Sequence, residues 1–118
     1  MSRSKYNNVR TEYNGVMYAS KAEALRAYEL DLMVKADRIA WWIGQPRFRL
    51  GCPENVYVAD SLVIGYGELW VEDVKGRETA KFRRDKRLWA KYGPCELRIV
   101  RGRKVESIMP DHLVKGSK

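Results

Sequence analysis

The run from Val56 to Lys75, VYVADSLVIGYGELWVEDVK, constrains the fold more than any other stretch of the chain. Its two halves are rich in Val, Leu, Ile, Tyr and Trp and meet at Gly65-Tyr66-Gly67, the pattern of two antiparallel strands joined by a tight loop. Side chains alternate between faces along a strand. Val56, Val58, Asp60, Leu62 and Ile64 are therefore expected on one face. On the second strand Leu69, Val71, Asp73 and Lys75 group together, with Trp70, Glu72 and Val74 turned the other way. A four-residue loop over residues 65–68 sets Ile64 against Leu69, Leu62 against Val71, and Asp60 against Asp73. Directly opposed Cβ atoms lie about 4.5 to 5.5 Å apart, where like charges repel, and burial of an unpaired carboxylate adds a desolvation cost. A divalent cation held by oxygen ligands would compensate, with Lys75 offsetting part of the negative charge. The alternative is a β-bulge that shifts the register and leaves the charges fringing the solvated ends of the sheet.

The charge balance points outward from this hairpin to a partner. The chain of 118 residues, 45% hydrophobic, is the size of a single domain with one modest core. It carries 23 Lys and Arg against 15 Asp and Glu, a net charge of +8, which favours a polyanion and nucleic acid first. No apolar run approaches the length of a spanning helix, and MSRSKYNN does not lead into the apolar segment of a secretory signal. The expectation is a cytoplasmic protein that does not engage a membrane. Cys52 and Cys95 are too few for a disulfide framework and form no CxxC pair, so both read as ordinary thiols. His112 is the only histidine, which leaves zinc sites and Ser-His-Asp or Cys-His catalysis almost without material. No phosphate-loop or dinucleotide fingerprint occurs, so no nucleotide cofactor is expected.

The flanking segments frame the hairpin. Residues 1–8 read as a basic arm, and Asn14-Gly15 between Val9–Tyr13 and Val16–Ala19 reads as a type I′ hairpin turn. A helix is expected from Ser20 to about Ala36, with Ser20 as N-cap and Glu23 placed for a capping box. Glu23, Ala27, Leu30 and Val34 share a row facing the core, so Glu23 is either a cap alone or a cap that also reaches the sheet. Two short extended pieces are expected in Ile39–Leu50, broken at Gly44-Gln45-Pro46, with adjacent Trp41 and Trp42 pointing opposite ways. After Gly76 a second helix places Phe82, Leu88, Trp89 and Tyr92 inward. Arg83, Arg84, Arg87 and Lys91 form an outer stripe, either a solvated face or, with Arg77 and Lys81, contacts for a phosphate backbone. ELRIVR, Glu96–Arg101, reads as a further strand, and residues 102–118 as a C-terminal tail of weak periodicity.

An acid on a helix (Glu23 in SKAEA), an acid in one strand (Asp60 in YVADSLV), an acid-x-lysine in the next (VEDVKG) and a basic helix leading to another strand occur in that order. This order resembles the PD-(D/E)xK nuclease superfamily, and in layout it is similar to the junction-resolving phage endonucleases. The resemblance covers about residues 5–101. It departs at Ala59, where the motif name has proline, and at Glu72-Asp73, where two acids are offered; the alternation of faces selects Asp73. What the resemblance implies is an α/β fold with an αβββαβ restriction-endonuclease-like core, a mixed sheet flanked by helices. It also implies a Mg²⁺- or Mn²⁺-dependent phosphodiester hydrolase in which Asp60, Asp73 and the Val74 carbonyl bind the ion. Glu23 would serve a second ion or a water, Lys75 would orient the nucleophile and stabilise the transition state, and Gln45 would support the site. The expected substrate is DNA, branched or duplex, with Holliday junctions in view and a homodimer as the matching geometry. A noncatalytic DNA-binding or partner-recruiting protein on the same scaffold is the other reading, and charge does not separate DNA from RNA.

Overall fold

In the computed structural model, which describes residues 9–114, the chain opens with a small hairpin. Strands β1 (Thr11–Tyr13) and β2 (Val16–Tyr18) pair antiparallel across Asn14 and Gly15, whose φ angles of 53° and 82° are those of a type I′ turn. The arm expected over residues 1–8 lies outside the described residues. Helix α1 (Lys21–Lys35) follows, and the Ser20 hydroxyl accepts from the Glu23 amide at 3.1 Å, as the capping pattern requires. Ala27 and Leu30 are buried and Val34 half-buried, so the row headed by Glu23 does face the sheet.

Five strands form the main sheet, in the order β3 (Trp41–Gly44), β6 (Ser61–Ile64), β7 (Leu69–Val74), β8 (Glu96–Arg101), β9 (Lys104–Ile108). Only β7 and β8 run parallel, joined by helix α2 (Ala80–Tyr92), whose first turn is capped by the Thr79 hydroxyl on the Phe82 amide. The fold is α/β, and α1, β3, β6, β7, α2 and β8 give the αβββαβ order. Strands β4 (Arg47–Arg49) and β5 (Val56–Val58) stand apart as a two-stranded ribbon.

Strand β7 is buried on both faces, as a central strand must be. Towards α1, Trp70 and Val63 pack with Leu30 and Ile39, and Trp42 joins them while its indole donates to Asp31 at 2.8 Å. Trp41, its neighbour, turns outward and is 60% exposed. Towards α2, Val71, Leu97 and Ile99 pack with Phe82 and Trp89. Trp89 is fully buried, meets Phe48 edge-on at 4.9 Å, and donates its indole N–H to the Cys95 carbonyl at 2.7 Å.

Three local expectations change. Val56–Ile64 is not one strand: it breaks at Ala59-Asp60, so β5 pairs with β4 while β6 enters the main sheet. The uniform alternation of faces therefore fails at the break, and Tyr57, not Val56 or Val58, points into the core. On α2, Tyr92 lies exposed and the acid Asp85 takes an inward place, neutralised by Lys81 at 2.8 Å. The segment Lys104–Ile108, assigned above to a tail, pairs antiparallel with β8 through a two-residue loop in which Gly102 has a φ of 60°. His112 then reaches back to the Gly93 carbonyl at 2.7 Å.

Candidate active site

Hairpin register brings the acids together. Ile64 pairs with Leu69, Val63 with Trp70, Leu62 with Val71 and Ser61 with Glu72, so the four-residue loop sets the register as far as Ser61, and a bulge follows at Asp60, which opposes Glu72 together with Ser61. One step beyond the last pair, the Asp60 amide donates to the Glu72 carbonyl at 3.1 Å, and the Asp60 carboxylate accepts from the Val74 amide at 2.6 Å. The Asp60 carboxyl lies beside the buried carboxylate of Asp73. Burial first, and the neighbouring charge of Asp73 second, push Asp60 far above the carboxylate range, to about 8.

Asp73 is held by two partners. It is 2% exposed, the Tyr57 hydroxyl donates to its Oδ2, and Lys75 Nζ lies 3.6 Å from the same oxygen. Lys75 is itself seated 4.5 Å above the ring of Phe82, which fixes the ammonium near the carboxylates. Burial and then the Asp73 charge keep the Tyr57 phenol protonated well above its ordinary range. Glu23 shares a narrow pocket with Asp60, Gln45 and Val74. Its carboxyl is raised by burial first and by Asp73 second, against the amide of Ala19, the charge of Lys75 and the Ser20 hydroxyl. Gln45 takes part through its backbone: its amide donates to the Asp60 carbonyl at 2.9 Å, from a left-handed φ of 53°.

Glu72 has a different environment. It is 1% exposed on the α1 face, where Arg26 grips both carboxylate oxygens at 2.8 Å and the Trp70 indole donates at 2.9 Å. A buried acid so fully satisfied is structural, and it anchors the strand that carries Asp73. The sequence signal for Arg26 is its position three residues after Glu23, on the same side of α1. Tyr57 was hidden by the break at Ala59-Asp60, which carries it round to Asp73.

The basic residues divide. Lys81 shares a cleft with Lys75 beside Tyr57, and exposed Arg77 follows Lys75 by two positions. Arg84 donates to the Asn55 side chain at 2.6 Å. Arg83, Arg87 and Lys91 lie exposed on α2, and Arg83 and Arg87 border a separate cleft with Glu78 and Ile108.

The donors near Asp60 are hard oxygens, the type that Mg²⁺ and Mn²⁺ prefer. Among the described residues no three His, Cys, Asp or Glu side chains gather into a cation cage, so the set brought together is the carboxylates of Asp60 and Asp73. It fits such an ion chemically, because two buried carboxyls of like charge face each other at a place that positive charge would stabilise.

Fold and site together define an α/β protein with a carboxylate–lysine cluster at the open end of its central hairpin. Residues 3–107 match the family DUF1064, described as a protein of unknown function, and the chain belongs to that family. No curated protein and no solved structure matches it. No helix among the described residues is long and apolar enough to cross a membrane.

Proposed function

We propose that the protein is a metal-dependent DNA endonuclease, acting in the cytoplasm as a homodimer with branched DNA as its leading substrate. The observation that carries this reading is the convergence of Asp60, Asp73 and Lys75, with the lysine ammonium 3.6 Å from the Asp73 carboxylate. A bound Mg²⁺ or Mn²⁺ would be held by Asp60, Asp73 and the Val74 carbonyl, with Glu23 at its margin, and would polarise the phosphate and activate water. Tyr57 holds Asp73 in place from below. Lys75, fixed over Phe82, supplies a compact positive charge for the phosphate oxygen that gains charge during cleavage. The Arg26–Glu72 pair keeps β7 in position behind these groups.

The test is cleavage of four-way junction, flap, linear duplex and single-stranded DNA, with Mg²⁺ or Mn²⁺ and with chelator, by the wild type and Lys75→Ala. Loss of the charge that stabilises the transition state should lower the rate by about 100-fold or more, with DNA binding retained. A Lys75→Ala variant that cuts as fast as the wild type would end the assignment.

A second reading, a noncatalytic DNA-binding protein, is favoured by the absence of a three-side-chain cation cage among the described residues. It predicts salt-sensitive binding with no heat of Mg²⁺ or Mn²⁺ association in calorimetry.

A further inference from the structure

We infer that the β4–β5 ribbon, and not the outer stripe of α2, carries the main nucleic-acid contact, by seating the sugar–phosphate backbone in the cleft between β5 and the first turn of α2. The inference rests on nucleic acid being the partner and deepens the reading above. That cleft, of about 310 Å³, is lined by β5, Lys75, Thr79, Lys81, Phe82 and Asp85, so it opens beside the carboxylate cluster.

Ribbon register determines what rims the cleft. Leu50 donates to the Asn55 carbonyl at 2.9 Å and Ala59 to the Pro46 carbonyl at 3.1 Å, which makes Phe48 and Tyr57 a hydrogen-bonded pair by alternation. Arg47 and Val58, and Arg49 and Val56, are then the intervening pairs. In such pairs the backbone N–H and C=O point away from the partner strand, so Val58 turns its amide to the edge that borders the cleft. Each arginine stands across from a cleft-lining valine, on the face opposite Phe48 and Tyr57. Both are exposed.

Charge balance separates these arginines from the lysines. Lys75 already neutralises Asp73 at 3.6 Å, and Lys81 neutralises the buried Asp85 at 2.8 Å, so the floor of the cleft is nearly balanced. Among the described residues neither Arg47 nor Arg49 forms an ion pair, and they supply excess positive charge one strand beyond the valines that line the cleft. Guanidinium groups suit phosphate because their planar forks match its oxygens. A strand lying there would extend directly to Asp73 and Lys75.

Binding of a labelled DNA duplex and of a four-way junction, followed by anisotropy in chelator over a range of salt, tests the inference. Arg47→Ala/Arg49→Ala should weaken binding by roughly tenfold or more and reduce the salt slope of log Kd by about 1 to 2, the loss of two phosphate contacts. Arg83→Ala/Arg87→Ala removes the same charge from the outer face of α2 and should have the smaller effect. An equal or larger effect of the α2 pair, or an unchanged slope for the ribbon pair, overturns the inference. Phenylglyoxal modification of the wild type, read by mass spectrometry, gives the same answer without substitutions: DNA should shield Arg47 and Arg49 more than Arg83 and Arg87, and the reverse order refutes it. Ribbon-dependent binding with no cleavage in Mg²⁺ or Mn²⁺ would remove the nuclease and keep the cleft, whereas cleavage indifferent to the ribbon would do the opposite.

Discussion

Removing the guanidinium that grips Glu72 should be among the most damaging single changes in the molecule. Glu72 is 1% exposed, and two of its contacts, at 2.8 Å each, come from Arg26. Arg26→Met keeps most of the apolar stem but leaves a buried carboxylate with only the Trp70 indole. Breaking a buried pair from one side typically costs about 3 to 5 kcal/mol, most of it the penalty of the stranded charge. For a chain of this size that corresponds to a fall in Tm of roughly 10 to 25 °C. Glu72→Gln in the same chain removes the stranded charge while its amide oxygen can still accept from Trp70, so the double variant should recover at least about half of the loss. Urea unfolding of the wild type, both single variants and the double variant supplies the complete cycle. A cost below about 1 kcal/mol for Arg26→Met, within the range of an exposed pair, or a double variant no more stable than Arg26→Met alone, would refute the reasoning.

Asp60 gives a pH signature in metal-free protein. Its folded carboxyl titrates near 8, raised mainly by burial, while in the unfolded chain it titrates near its ordinary 3.8. The folded state thus retains a proton that the unfolded state releases. This contribution is fully present below about pH 4 and is lost as the pH rises towards 8. Asp60→Asn should remove much of that slope, worth on the order of a few kcal/mol, in urea midpoints measured from pH 4.5 to 8.5; identical slopes for variant and wild type would contradict it. Gly93→Ala should destabilise by about 1 to 3 kcal/mol through overpacking. The added Cβ would lie 2.6 Å from the buried Trp89 indole, so an unchanged urea midpoint would show that the indole moves aside freely.

Local rules made part of this architecture legible. The hairpin register followed from a four-residue loop and alternating side chains, because Ile64 and Leu69 are neighbours in sequence as well as in space. Ser20 and Glu23 marked the start of α1 for the same reason. What escaped depends on distant partners. The break at Ala59-Asp60 lies where Asp60 and Ser61 both oppose Glu72 and Gln45 takes a left-handed φ, an irregularity that no periodicity records. Glu72 is safe in the interior only because Arg26 arrives from 46 positions away. Asp85 disrupts the apolar side of α2 for a similar reason, being neutral in effect beside Lys81. Strand β9 is short, with Val105 exposed, so its alternation is too weak to distinguish from a polar tail.

The change of sheet at Ala59-Asp60 also has a mechanical side. Ribbon and main sheet are continuous through one joint of two adjacent stretches of backbone, Ala59-Asp60 and Gln45-Pro46, which are hydrogen-bonded to each other, and Tyr57 spans the same gap by its contact with Asp73. Any tilt of the ribbon must be absorbed at that joint, within two residues of one carboxylate and one side-chain length of the other. A load placed on Arg47 and Arg49 is therefore felt first at Asp60 and Asp73, so the site has a built-in strain gauge whose lever arm is the ribbon itself.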